Sequence, residues 1–274
     1  MRVLSEEISA ALPSAGQTWW DEGFTQLLVR SVPSDTRHLV EMDCGLARAG
    51  HLLLPYLPSA TYVGVESDAE RLAQAQQLLV GASFASRVSL RLGKAEELPL
   101  PDGMCDVVLS IMDLQQHPDV PAVLKEARRV LRTGGRIVAV APDNLGQRFY
   151  FDGVLEEVSD VVHRLCLRAR AACQPVDLAV GPRMPGLLQA AGLLSVSMTA
   201  HAIHSSRSED AKTFFNRLRR VCQGVVEHAG LPPELEELQI CEAAITRAQF
   251  AGLPKRVGFS AHVVPAFCVV GINP

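Results

Sequence analysis

From His38 onward the chain alternates short apolar runs with amphipathic patterns, and this alternation constrains its fold more than any other feature. The runs HLVEM (38–42), TYVGVE (61–66), RVSLRL (87–92), CDVVLSIM (105–112) and RIVAVA (136–141) have the length and β-branched content of strands. Between them lie a helical stretch to about Tyr56, then DAERLAQAQQLL (68–79), a turn-rich stretch, and VPAVLKEARRVL (120–131). Parallel strands need long crossovers, usually helical, so the pattern predicts βαβ units: a doubly wound, mostly parallel α/β sheet with helices on both faces.

After residue 142 the pattern changes. GVLEEVSDVVHRLCLRARAA (153–172) places Val154, Val158, Val161, Val162 and Leu165 on one helical face with charges opposite. RMPGLLQAAG (183–192) predicts a short helix ended by Gly192, LLSVSMTAHAI (193–203) a sixth strand, and SAHVVPAFCVVGI (260–272) a seventh broken by Pro265. Two helical patterns, 211–230 and 233–252, lie between these strands. Ahead of the sheet, residues 1–37 suggest a helical leader carrying Trp19, Trp20 and Phe24, with a break at Ser31–Ser34. The expected organisation is a leader or lid (1–37), a ligand-binding core (38–142), and a segment (143–274) that adds lid helices and completes the sheet, all in one domain.

A composition of 48% hydrophobic and 20% charged residues over 274 positions is that of a globular protein, not of a disordered or membrane-spanning chain. Glu6 and Glu7 stand where a secretion signal would be apolar, so a cytoplasmic protein with no membrane partner is expected. Seven scattered cysteines with no C-x-x-C pair suggest neither a disulfide framework nor zinc. His201 and His204 fall on opposite faces of a predicted strand and do not suggest a metal pair, so no metal is expected. With a net charge of −4 and one short basic cluster, Arg217, Arg219 and Arg220, nucleic acid is not expected as a partner.

The chemistry concentrates in VEMDCGLARAG (40–50), where the first strand turns into the first helix. Open parallel sheets bind ligands beyond the carboxyl ends of their strands, and a turn there needs small residues such as Gly45 and Ala47 to let backbone approach the ligand. Glu66 ends the second strand, where a carboxylate can accept both hydroxyl protons of a ribose. Together these indicate a nucleoside-bearing cofactor. The G-x-G-x-x-G of a dinucleotide site is missing, and pyrophosphate would meet Glu41 and Asp43. The sulfonium and ammonium groups of S-adenosylmethionine (SAM) suit those carboxylates better.

With these residues the chain resembles the class I SAM-dependent methyltransferases, in particular the group acting on small molecules, over roughly residues 36–142. The family's acid-x-Gly-x-Gly-x-Gly is matched by Glu41 and Gly45, with Asp43 and Ala47 in place of the outer glycines, and its acid after strand two by Glu66. Its Gly-Asp-Ala-Glu-x-Leu-Pro-x-Pro-Asp-Gly is matched by GKAEELPLPDG (93–103), with Lys94 where an aspartate commonly meets adenine. CDVVLS and LRTGGRIVAV (131–140) complete the likeness. The resemblance implies a seven-stranded Rossmann-like fold with helical lid insertions and SAM as cofactor; with Lys94 in place of the aspartate, adenine is expected to be held by backbone at Ala95 and Glu96. Ser67 and Ser110 complete the expected cofactor contacts.

His117, after strand four, stands where a neutral imidazole could take a proton from the methyl acceptor, although His-Pro-Asp also makes a helix start. Trp19, Trp20 and Phe24, then Phe149, Tyr150 and Phe151, then Phe214 and Phe215, occur in segments where the family builds its lid, and would suit a hydrophobic or aromatic acceptor, with ordinary core packing as the competing account. The expected function is methyl transfer from SAM to such a molecule. A weakened SAM-binding or regulatory protein and a nucleotide-dependent oxidoreductase are the alternatives. Acceptor identity, acceptor atom and oligomeric state stay open.

Overall fold

The computed structural model describes residues 20–151, 156–173, 177–251 and 256–274. The chain divides into two compact units. A sheet unit comprises Glu22–Pro142, Ala179–His201 and Ala266–Pro274; a helical unit takes the described residues of 1–21, Asp143–Leu178 and Ala202–Pro265.

In the sheet unit, α1 (Glu22–Ser31) precedes β1 (His38–Met42), α2 (Arg48–Leu53), β2 (Thr61–Glu66), α3 (Ala69–Leu78), β3 (Val88–Leu92), β4 (Cys105–Ile111), α4 (Val120–Val130) and β5 (Leu131–Pro142). Strands β1 to β5 are parallel in the order β3-β2-β1-β4-β5, and β8 (Arg256–Ile272) runs antiparallel beside β5 through Ala266–Ile272. β7 (Leu194–Asp210) pairs with β8. The mostly parallel sheet expected from the alternation is therefore present, with the Rossmann-like form that the resemblance implied, but it has eight strands among the described residues where seven were expected, because a short strand after β5 adds to it. Central strands covered on both faces must be apolar almost throughout, and β1, β2 and β4 are buried along nearly their whole length.

Local chemistry fixes the helix starts. Asp68 accepts the backbone N–H groups of Glu70 and Arg71 at the head of α3, and Asp119 accepts that of Ala122 at the head of α4, where Pro121 fits the first turn. Val120, Val123, Leu124, Ala127 and Val130 form the buried stripe of α4, at helical spacing. They join Val40, Met42, Val108, Ile137 and Ala139 in one apolar core. α6 (Val180–Ala190) begins ahead of the predicted Arg183 because Pro182 falls in its first turn, where the missing N–H costs nothing. At the opposite end of the strands from the site, the Asp106 carboxylate accepts the N–H groups of Arg37 and His38 and binds Arg132.

The helical unit has α5 (Glu156–Cys173), α7 (Ala211–His228) and α8 (Glu236–Phe250) around a second apolar core. Val158, Val161, Val162 and Leu165 are buried on α5, on the face the periodicity marks; Val154 lies outside the described residues. A strand that the apolar runs do not announce, β6 (Arg148–Phe151), pairs antiparallel with Ser260–Val263 of β8. Among the described residues no helix is long and apolar enough to cross a membrane.

Candidate functional site

The first strand ends in a loop whose backbone turns left-handed at every second residue: φ is +46° at Asp43, +54° at Gly45 and +55° at Ala47. Glycine adopts this region freely, aspartate tolerates it, and alanine is strained in it. The loop thus follows a three-glycine path with one glycine. Its shape is held by hydrogen bonds from Cys44 N–H to the Val65 carbonyl (2.9 Å) and from Ala47 N–H to the Cys44 carbonyl (2.8 Å). The buried Glu66 carboxylate accepts the N–H of Gly45 (2.8 Å) through one oxygen and that of Asp68 (3.0 Å) through the other. This acid is thereby fixed against the loop at the carboxyl end of the sheet.

Beside it opens a cleft of about 570 Å³, within the size range of small-ligand sites. Its walls are Asp43 from the β1 loop, Ser67 from the end of β2, residues 94–97 after β3, and His117 after β4. Lys94 and Glu97 pair across a tight turn that buries Ala95. His117 Nε2 lies 2.7 Å from Asp43 Oδ2, and its Nδ1 lies 2.9 Å from Glu96 Oε1. Burial disfavours charge on this ring, but hydrogen bonds and charges from Asp43 and Glu96 outweigh it and raise its pKa to about 9. The His117 bond in turn overcomes desolvation at Glu96 and holds that carboxyl below its usual range.

Of the residues expected at the cofactor, Asp43, Ser67, Lys94, Ala95 and Glu96 meet in the cleft, and Gly45 and Glu66 bond to each other beside Asp43. Ala47 takes the third left-handed position. Two do not line it. The Glu41 carboxylate accepts the hydroxyl of Tyr62 in the sheet interior, where burial first and Glu41 second push the Tyr62 pKa well up. Ser110 is buried on β4 between Met42 and Ala139. Glu97 was missed, although it directly follows Glu96. The neutral imidazole expected at His117 is corrected as well, since two carboxylates keep the ring charged at neutral pH.

The aromatic residues expected over an acceptor are placed differently. Phe214 and Phe215 meet edge to face in the core of the helical unit, and Phe149 is buried there, stacked on His262 at 4.3 Å. Phe24 is buried on the inner side of α1 with Leu28, and Trp20 is half-buried. For the buried phenylalanines, packing replaces the predicted pocket role. Tyr150 is exposed; Phe151 pairs with Ser260 through β6; Trp19 lies outside the described residues.

The donor set fits SAM. A carboxylate with lone pairs to spare stands at the end of β2, the adjoining loop brings backbone close, and three carboxylates in the cleft wall face a ligand with two cationic groups.

The family described as a methyltransferase domain matches residues 40–139. Demethylmenaquinone methyltransferase of Symbiobacterium thermophilum is 26% identical over 140 residues, which cover 50% of this chain and 54% of that one. Nocamycin O-methyltransferase of Saccharothrix syringae is 33% identical over 108 residues, covering 38% and 37%. A structure of Haemonchus contortus phosphoethanolamine N-methyltransferase 2, in complex with phosphomonomethylethanolamine and S-adenosylhomocysteine (SAH), matches with a TM-score of 0.56 at 13% identity, covering 92% of this chain and 53% of that one, and so shares the fold. The matched stretches span 30%, 54% and 44% of three curated relatives' lengths, less than two thirds of each. Loop path, acid position and family match agree, and residues 40–139 are a class I SAM-dependent methyltransferase domain.

Proposed function

We propose that this chain transfers the methyl group of SAM to a small molecule of hydrophobic or aromatic character. The observation that carries the reading is the left-handed path through Asp43, Gly45 and Ala47, held against the Glu66 carboxylate. Its relatives' names, which include a demethylmenaquinone and a nocamycin methyltransferase, support a small-molecule acceptor.

Bound SAM supplies a methyl carbon open to in-line displacement. Such a reaction needs alignment and exclusion of water more than a dedicated base. Glu66 holds the ribose hydroxyls, Asp43 offers a carboxylate to the ammonium end, and the turn at residues 94–97 receives the adenine. His117 keeps its proton at neutral pH, so it contributes charge rather than basicity.

Thermal unfolding with added ligands tests the reading, because a ligand that binds only the native state raises its apparent stability. SAM and SAH should each raise the midpoint and NAD(H) should not. A midpoint unmoved by either SAM compound would remove the reading. A second reading, a SAM-binding protein with weakened catalysis, draws on Ala47, whose side chain sits on backbone suited to glycine. SAH binding without methyl transfer from labelled SAM to any of a panel of aromatic and isoprenoid acceptors would favour it.

A further inference from the structure

His117 joins three loops of the sheet unit, meeting Asp43 from the β1 loop and Glu96 from the loop after β3. An imidazole donates from both nitrogens only as a cation, and with two carboxylates in contact its pKa of about 9 keeps it one at neutral pH. The charged groups that share the cleft wall with it are Asp43 after β1 and Lys94, Glu96 and Glu97 after β3; Glu66 ends β2 beside the β1 loop, and Asp113 and Asp119 flank His117 in sequence. In the cleft wall, three carboxylates therefore stand against two cations, Lys94 and His117.

We propose that His117, held between Asp43 and Glu96, sets how strongly the cleft distinguishes the sulfonium of SAM from the uncharged thioether of SAH. The proposal rests on the reading that SAM binds in this cleft. SAM and SAH share adenine, ribose, carboxylate and ammonium, and differ by one methyl group and one positive charge. A change in the shape or order of the cleft acts on both ligands, whereas a change in its charge acts on their difference. The His117 cation opposes the sulfonium and loosens SAM relative to SAH; the Glu96 carboxylate works in the other direction. Asp43, relieved of His117, would draw the ammonium that both ligands carry, so that effect cancels in the ratio.

The test is calorimetric titration of SAM and SAH at pH 7.0 into the wild type, His117→Gln and Glu96→Gln. His117→Gln should move the ratio of dissociation constants toward SAM by about three- to tenfold, and Glu96→Gln should move it toward SAH. A ratio unchanged in both variants, with both ligands still binding, overturns the proposal. Failure of the wild type to bind either ligand overturns instead the cofactor reading beneath it. Should His117→Gln not fold, Glu96→Gln decides, because Glu96 is 37% exposed in its side chain. Nitrogen NMR of the wild-type ring gives a further check: a protonated His117 is expected through pH 8, and a neutral ring at pH 7 overturns the proposal.

Discussion

The sheet unit and the helical unit both bury apolar stripes, but they differ in where their polar groups converge. In the sheet unit, parallel strands all end on one side, and the loops leaving β1, β2, β3 and β4 bring Asp43, Glu66, Glu96 and His117 together. In the helical unit, three helices bury valines, phenylalanines and the thiols of Cys166, Cys222 and Cys241. Polar side chains there pair on the exposed side, Arg219 with Gln249 and Gln223 with Glu242. A parallel sheet gathers loop chemistry by its topology, whereas packed amphipathic helices chiefly build an interior.

The largest expected effect tests whether the two units divide their labour in this way. Phe215→Ala should cost about 3–5 kcal/mol in denaturant unfolding, because a large buried ring leaves a cavity among the helices. SAH affinity of the folded variant should stay within about twofold, since Phe215 belongs to the core of the helical unit and the cofactor residues belong to the sheet unit. Loss of SAH binding by a folded Phe215→Ala protein would break the comparison.

Glu66→Ala should weaken SAH by about 1.5–3 kcal/mol on calorimetric titration, the range for hydrogen bonds to a charged group. It also leaves the Gly45 N–H without its acceptor. Unchanged affinity in a folded variant would move the ribose away from β2.

His117 sharpens the comparison through pH. Its folded pKa of about 9 lies above the ordinary 6.5, so the clamp's contribution to stability is fully present below about pH 6.5 and is lost as pH rises through about 9. The stability advantage of the wild type over His117→Asn should therefore shrink across that window, by on the order of 1–2 kcal/mol. A difference flat from pH 6 to 9.5 in urea titrations would show that the ring gains nothing from its two carboxylates.

The smallest effect is expected at Ala47. Replacement by glycine relieves left-handed strain but frees the unfolded chain, for a net gain of about 0.5–1 kcal/mol. A thermal midpoint lower than that of the wild type would show that burial of the Ala47 methyl outweighs the strain.

Much of the sheet was legible because strands buried on both faces spell continuous apolar runs, as HLVEM and TYVGVE do. β6 was not, because RFYF is only four residues long and pairs with residues more than a hundred positions away. At the site, Asp43, Gly45 and Glu66 could be located from strand ends and family spacing. The His117 charge could not, since it arises from two carboxylates at separations of 74 and 21 residues that only the fold brings into contact. The aromatic residues misled for a related reason: Phe149, Phe214 and Phe215 have the composition of a ligand pocket and the placement of a core.

The antiparallel pairing of β5 with β8 also bears on the order in which the chain can fold during synthesis. Arg136 pairs with Ile272, so β5 waits for a neighbour made more than a hundred residues later. Until then, a nascent chain that has assembled its five parallel strands carries Ile137, Val138 and Val140 on an unpaired edge, a template for another chain's strand. Translation speed and chaperone supply should therefore weigh more on the yield of this protein than on that of one whose sheet closes in sequence order.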